Sequence, residues 1–177
     1  MRYVYWVLLA TTLAASVHAG DKEMKEIKYR GGIVNFLIPK HWVEQYEPNG
    51  GGMFYEDAPN TGTLRLNVIT AQSSKPLSAD AAYEELVAMK SVKTESVQRL
   101  KNGNAIGTSI QHSTEQGQKI TLFWWHVTNP IRPNHMRIAN FSYTVLTSHE
   151  GSEPIQREVR RLTESIKNAT FHPTLGQ

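Results

Sequence analysis

The sequence predicts an α+β fold in which an antiparallel β-sheet is flanked by helices. Three features of the chain lead to this prediction. Most regular segments alternate apolar and polar residues, which is the period of a half-buried strand. Short turns separate these segments, and strands joined by short turns pair antiparallel. Two other segments repeat apolar residues every three or four positions, so each is an amphipathic helix that needs a sheet face to cover its apolar side.

The first 19 residues are predicted to form a cleavable secretory signal. Arg2 precedes an apolar stretch over residues 4–17, and Val17 and Ala19 lie two apart just before a charged segment. A basic start, an apolar middle and small residues at the cleavage point are the parts of a signal peptide. The stretch is also shorter than the about 20 apolar residues that span a bilayer. We therefore expect cleavage near Ala19, no stable membrane anchor afterwards, and a single domain over residues 20–177 in the periplasm or outside the cell.

Composition excludes several kinds of protein. The chain has no cysteine, so it can form neither a disulfide nor the thioether-linked lipid of a bacterial lipoprotein. Its 19 basic and 16 acidic residues leave a formal charge of only +3, which does not favour nucleic-acid binding. The densest basic segment, residues 157–161, contains Glu158 between its arginines and is typical of a solvated helix face.

The strands are predicted from β-branched, aromatic and alternating runs that end at Pro, Gly or Asn. A Gly-rich turn at residues 49–52 predicts a hairpin, and the Lys-Asn-Gly-Asn sequence at 101–104 predicts another. In the last strand, alternate apolar residues from Ala139 to Val145 share one face. The predicted strands are 33–38, an extended piece after Trp42, 53–55, 64–68, 97–100, 105–111, 119–128 and 136–146.

Two helices complete the pattern. The first is expected to be capped by Ser78 and to end near Lys90, because apolar residues recur from Ala82 to Val87 at helical spacing. The second spans about residues 153–168. Its apolar stripe consists of Ile155, Val159, Leu162 and Ile166.

The order of these elements, together with one local signature, resembles a known family. The signature is Val34-Asn35-Phe36-Leu37-Ile38-Pro39-Lys40-His41-Trp42, followed by the Gly-rich hairpin, the 64–68 strand and the helix that opens at Ser78. This arrangement is similar to the α/β/α sandwich of the photosystem II protein PsbP, the Mog-type Ran-binding proteins and bacterial exported proteins of the DcrB type. The resemblance implies a binding or accessory role without catalysis. Some type VI secretion adaptors and immunity proteins adopt similar folds, and export favours a bacterial periplasmic relative.

The residues themselves indicate no catalytic site and no cofactor. The chain has no G-x-S-x-G motif, and none of its seven histidines shows the close spacing of a zinc motif such as H-E-x-x-H. The glycines at 50–52 lack the Lys-Ser or Lys-Thr that follows a phosphate-binding loop. We therefore expect a protein that is not an enzyme.

Two aromatic clusters are the candidate binding residues. Around the hairpin, Trp42, Tyr46, Met53 and Tyr55 lie next to Glu56 and other acidic residues, and aromatic anchors ringed by charge are typical of protein-binding surfaces. The alternative is that every second member of this cluster belongs to the core.

The second cluster is residues 124–126, which include Trp125 and His126. Neighbouring residues of a strand point to opposite faces, so one tryptophan is expected in the core and the other on the opposite face. If that face is open, it would be a binding spot for a sugar or a protein.

These observations lead to one main functional hypothesis and one alternative. The main hypothesis is an exported non-enzymatic protein that acts by protein contact, in its most concrete form an immunity protein against a toxin that a type VI secretion system delivers to the periplasm. The alternative is a periplasmic carrier of a small ligand or a metal, which requires a pocket near Trp125 and His126.

Overall fold

The structure is a computed structural model that describes residues 23–174 and contains ten strands and two α-helices within that range. The predicted signal, residues 1–19, and its cleavage after Ala19 lie outside the described residues. In residues 23–174, neither helix combines the length and the apolar character that a bilayer crossing requires.

The strands form two antiparallel sheets, as the predicted α+β class requires. The large sheet has the order β3-β4-β5-β9-β8-β7-β6, and the small sheet has the order β1-β2-β10. In chain order the elements are β1 (Met24–Tyr29), β2 (Val34–Pro39), β3 (Val43–Tyr46), β4 (Gly52–Tyr55), β5 (Thr63–Gln72), α1 (Ala81–Ala88), β6 (Gln98–Arg99), β7 (Ala105–Glu115), β8 (Gln118–Ile131), β9 (His135–Leu146), α2 (Glu153–Lys167) and β10 (Thr170–Phe171).

The main core lies between one face of the large sheet and a cover made of the small sheet and α2. In the centre of the large sheet, Trp125 of β8 lies opposite Phe141 of β9, and both are buried. The small sheet contributes Phe36, whose ring meets that of Phe141 edge-on with centroids 5.2 Å apart. The predicted stripe of α2 is buried at Ile155, Leu162 and Ile166, while Val159 is partly buried and packs against the core. We name this side of the large sheet the covered face.

Helix α2 also completes the small sheet by a side-chain contact. The Ser165 hydroxyl accepts a hydrogen bond from the backbone N–H of Leu37 (2.8 Å) and donates one to the carbonyl of the same residue (2.7 Å). One side chain of α2 thus satisfies both backbone groups of a residue in β2, where β10 is too short to pair with it. This small sheet is a difference from the prediction, which did not include β1 or β10.

Helix α1 covers only one end of the opposite side of the large sheet, which we name the open face. The buried Thr128 hydroxyl donates to the carbonyl of Ala82 (2.6 Å), and Leu86 is completely buried beneath the helix. The helix is shorter than predicted and does not begin at Ser78. The backbone N–H of Leu77 donates to the carbonyl of Pro133 (2.8 Å), and this bond holds the residues before the helix against the β8–β9 hairpin. The Ser78 hydroxyl does not cap the helix and contacts the Glu84 carboxylate instead.

Gly62 shows how tightly the core is filled. A Cβ atom at this position would lie 2.4 Å from Cζ of Tyr143, whose ring is 1% exposed and has no room to move. We expect Gly62→Ala to lower the free energy of unfolding by about 1–3 kcal/mol, as overpacking of a filled core does. Denaturant unfolding measures this loss. Gly151→Ala is the matched control, because no atom lies within 4 Å of a Cβ there; equal stabilities of the two variants would contradict the prediction.

Candidate functional site

Two of the residues predicted to bind a partner belong to the core. Trp42 is 3% exposed and stacks on Tyr143 with ring centroids 6.1 Å apart. Trp125 is 2% exposed, and its indole N–H donates to the Thr163 hydroxyl (3.0 Å). Both rings lie on the covered face, beneath the small sheet and α2, so the expectation that they contact a partner is corrected. The alternation along the strands predicts that neighbours diverge, but it does not show which face is covered.

The rest of the hairpin cluster is divided between the two faces of the sheet. Tyr46 is 48% exposed and lies at the rim of the covered face, where its ring meets that of Phe54 edge-on at 6.1 Å. Met53 and Tyr55 are half-buried on the open face. Glu56, also half-buried, lies 3.3 Å from His41 Nε2. The predicted cluster is therefore not one continuous patch.

The open face carries a polar surface centred on Trp124. Trp124 is half-buried and points away from Trp125, which confirms that one tryptophan of the pair enters the core and the other takes the opposite face. Register places His126 one row further along the same face, but it is buried (8% exposed), so the expectation that it contacts a partner is corrected as well. Two cross-strand rows make up this surface: Met53, Arg65, Ser142, Trp124 and Ser109, and next to them Asn67, Asn140, His126 and Gly107.

Local contacts hold the two rings of this surface in place. The Trp124 and His126 rings are parallel within 4° with centroids 5.6 Å apart, and His126 Nδ1 lies 2.7 Å from Asn140 Oδ1. A cavity of about 460 Å³ lies beside Trp124 and Asn140, lined by Arg65 and Asn67 among others. Within residues 23–174 the buried Trp124 indole N–H has no hydrogen-bond partner. No three His, Asp or Glu side chains in that range are placed to hold a metal ion.

The outer edge of β7 has no strand beside it over most of its length. In the described part of the chain, β6 pairs only with Ala105 and Ile106, so residues 107–115 pair with β8 on one side alone. Unpaired edges are usually protected by Lys, Pro or a covering segment. Residues 107–115 contain neither Lys nor Pro, and Ile110 is 63% exposed, the highest value among the exposed large apolar residues of the described range.

A groove of about 1180 Å³ runs along this edge. On the covered face it passes between β7 and α2, where Ile110, Phe123 and Val159 provide apolar contacts. Lys90, Lys93 and Lys167 also line it, and the lining residues include no Asp or Glu. The predicted site residues Trp125 and His126 line this groove, but no residue of the β7 edge was among the predictions. The only signal for the edge in the sequence is Ile110, the one large apolar residue in 107–115.

The far end of β7 is tied to the segment that precedes α2. His112 Nε2 lies 2.9 Å from the Glu150 carboxylate, which also accepts a hydrogen bond from the Thr121 hydroxyl. The Thr121 bond, followed by the contacts with His112, lowers the pKa of Glu150 below its usual 4.5. Because the folded pKa is lowered, this carboxylate stabilises the fold at neutral pH, and its contribution is lost as the pH falls through the folded pKa.

We expect Thr121→Val to raise the pKa of Glu150 towards 4.5, because it removes the hydroxyl that favours the charged form. An NMR titration of the Glu150 carboxyl carbon measures this midpoint. Thr121→Ser keeps the hydroxyl and is the control. Identical midpoints in the wild type and the valine variant would show that the bond has no influence.

Comparisons with known proteins support the fold. No family model and no curated protein matches the sequence. A structure from Bacteroides thetaiotaomicron aligns with a TM-score of 0.58 and 19% identity, over 84% of this chain and 48% of the other, so this chain spans about half the length of that protein. LpqN of Mycobacterium tuberculosis, described as involved in cell envelope biogenesis, aligns with a TM-score of 0.54 and 12% identity over 88% of each chain.

A variant of Mog1 aligns with a TM-score of 0.50 and 11% identity, over 84% of this chain and 96% of the other. At these identities the likeness concerns the fold alone. The predicted α+β class, an antiparallel sheet flanked by helices, is confirmed, and the chain has the Mog-like fold that the resemblance implies.

Proposed function

We propose that this protein is an exported, non-enzymatic binding protein that accepts an extended segment of another protein along the edge of β7. The observation that carries the proposal is the unpaired edge over residues 107–115, which faces the groove between β7 and α2. A strand at a sheet edge presents unpaired backbone N–H and C=O groups, and an extended peptide can add to it as a further strand.

The groove determines which segment fits. Alternate side chains of an added strand would point to the covered side, where Ile110, Phe123 and Val159 offer apolar contacts. Lys90, Lys93 and Lys167 favour acidic groups at the rim of the groove. The preferred partner is therefore an extended segment that alternates apolar and acidic residues. A second copy of this chain fits less well, since it would bring its own lysines to the groove.

The most specific form of the proposal is a periplasmic immunity protein whose partner is a toxin delivered by a type VI secretion system. Two features of the sequence support this form of the proposal. The first 19 residues resemble a secretory signal, and the chain resembles a fold that some immunity proteins adopt. In this form, the docked strand belongs to the toxin, and binding blocks the toxin by covering its surface.

The test compares two exposed isoleucines of the large sheet. Ile110 lies on the free edge of β7 beside the groove. Ile69, which is 49% exposed, lies on β5 beyond the end of its pairing with β4 and does not line the groove. The tagged protein, produced from its full-length coding sequence, is used to isolate a stoichiometric partner from the periplasmic fraction or from secreted effectors. A synthetic peptide of the partner's contacting segment is then titrated against Ile110→Lys and the control Ile69→Lys.

We expect Ile110→Lys to weaken peptide binding at least tenfold, because a lysine at the β7 edge opposes strand addition there. We expect Ile69→Lys to have little effect, because Ile69 does not line the groove. Equal binding by the two variants would contradict the proposed site. A concentration-dependent dimer that Ile110→Lys abolishes would show instead that the edge pairs with a second copy of the chain.

The open face supports a second candidate function, that of a carrier for a small ligand. The cavity of about 460 Å³ is lined by Asn67, Asn140 and Ser142. It lies next to the indole N–H of Trp124, which finds no hydrogen-bond partner among the described residues. Amide, hydroxyl and indole groups suit a neutral polyhydroxylated ligand such as a sugar. Thermal shift with a panel of periplasmic sugars tests this. A shift that Trp124→Phe abolishes would support the carrier, and no shift with any sugar would count against it.

A further inference from the structure

A second cleft, at the end of the sandwich where the β8–β9 hairpin meets the small sheet, is lined by basic residues. Its volume is about 790 Å³. Arg30, Arg132, His135 and His172 contribute to its walls, and the residues that line it include no Asp or Glu. This composition differs from that of the β7 groove, because two arginines line this cleft, whereas the residues that line the β7 groove include no arginine.

A buried guanidinium lies next to this cleft. Arg137 is completely buried, and register places it on the same face as His135, one row deeper. Its Nη1 donates to the carbonyl of His172 (2.8 Å) and to Asn129 Oδ1 (3.3 Å), and its Nη2 donates to the carbonyl of Thr174 (2.7 Å). His172 and Thr174 both line the cleft.

All of these acceptors are neutral. Within residues 23–174, Arg137 forms no ion pair, and its buried Nε has no hydrogen-bond partner. Burial lowers the pKa of Arg137, but an arginine remains charged in a protein. A buried positive charge without a counter-charge is costly, and an anion close to it reduces that cost.

The exposed arginines of the cleft keep their charge for a ligand as well. The Arg132 guanidinium donates to the carbonyls of Leu77 (3.1 Å) and Ser78 (3.5 Å), and that of Arg30 donates to the carbonyl of Asn49 (3.0 Å). These bonds orient the side chains without neutralising them. A guanidinium has five N–H donors, so donors remain for an oxyanion.

We propose that this cleft binds an oxyanion, the carboxylate or phosphate group of a ligand, between Arg30, Arg132 and His135 and in the field of the buried Arg137. The site is separate from the β7 groove, and it gives the protein a ligand-binding function beside the proposed protein contact. Arginine is suited to both kinds of group, because its planar fork of donors matches the spacing of their oxygens.

The experiment titrates the full-length gene product with inorganic phosphate and, separately, with acetate, at an ionic strength held constant with sodium chloride. Backbone amide shifts are followed by NMR. We expect saturable shifts at the amides of residues 30–33 and of Ile131, Arg132, Asn134, His135, His172 and Thr174. The anion that binds more tightly identifies the group that the cleft prefers. The absence of saturable shifts with both anions would overturn the proposal.

Variants separate a specific site from general charge effects. We expect Arg30→Gln/Arg132→Gln to weaken binding at least tenfold, while Arg65→Gln/Arg157→Gln, which removes the same charge from other surfaces, keeps the wild-type affinity. An equal loss in both double variants would overturn the proposal. His135→Glu leaves both arginines in place and puts a carboxylate into the cleft. This variant therefore tests the site even if loss of the Arg132 contacts impairs folding of the double variant. We expect His135→Glu to abolish the anion-induced shifts, and wild-type anion binding by this variant would also overturn the proposal.

Discussion

Replacing Trp42 by alanine is expected to lower the free energy of unfolding by about 3–5 kcal/mol, the usual cost of removing a large buried aromatic side chain. The ring is 3% exposed and stacks on Tyr143, which is itself buried and packed against Gly62. A cavity at this position cannot close easily, because the neighbouring atoms belong to a filled core.

Chemical denaturation with guanidinium measures the loss, and two further variants sharpen it. Trp42→Phe keeps an aromatic ring and removes the buried indole N–H, which has no hydrogen-bond partner within residues 23–174, so we expect a smaller loss. Trp124→Ala, on the open face, is also expected to cost less, because Trp124 is only half-buried. A Trp42→Ala variant as stable as Trp124→Ala would place Trp42 outside the core.

This prediction decides how binding is tested. A substitution of Trp42 would weaken a protein contact by unfolding the domain, whatever the partner touches. Ile110 and Tyr46 are exposed and can be changed without opening the core, so they are the residues with which to examine a surface.

Replacing Arg137 by methionine is expected to lower the free energy of unfolding by about 2–4 kcal/mol. Hydrogen bonds from a charged donor contribute roughly 1.5–3 kcal/mol each. The acceptors on Asn129, His172 and Thr174 each lose a hydrogen bond from Arg137 in this variant. The expected loss of unfolding free energy is smaller than the sum of these three bonds, because removing a buried charge also removes its desolvation cost.

Hydrogen exchange locates this effect. The backbone N–H of His172 donates to the carbonyl of Ile33 (3.1 Å), next to the pairing of β10 with β2. We expect Arg137→Met to speed exchange at His172 and Phe171 more than in the centre of the large sheet. Arg65→Met, at an exposed position of β5, is the control and should leave exchange unchanged. Unchanged protection of β10 in Arg137→Met would show that the arginine does not hold this segment.

Local sequence patterns predicted most of the large sheet and both helices. Strand β9 occupies His135–Leu146 against a prediction of 136–146, and α2 occupies Glu153–Lys167 against 153–168. These elements have long, regular hydrophobic periods, and the period of apolar residues is a local property. The divergence of Trp124 and Trp125 was predictable for the same reason, because it follows from the pleat of a strand.

The small sheet was less accessible to prediction. Its β1 contains charged residues at Lys25, Glu26 and Lys28, so its alternation is weak, and β10 has only two residues. What holds them is distant in the chain: the Ser165 contact with Leu37 joins residues 128 positions apart. Patterns in short windows do not contain such contacts.

The sequence by itself determined the α+β class, the antiparallel order of neighbouring strands and the existence of two faces on each strand. Only the tertiary structure decided that the covered face takes Trp42 and Trp125, and that α1 leaves Trp124 beside an open cavity. It also decided that β6 ends after two residues and leaves the β7 edge unpaired. The physical reason is that alternation follows from the geometry of a single strand, whereas burial and edge pairing depend on which distant element packs against it.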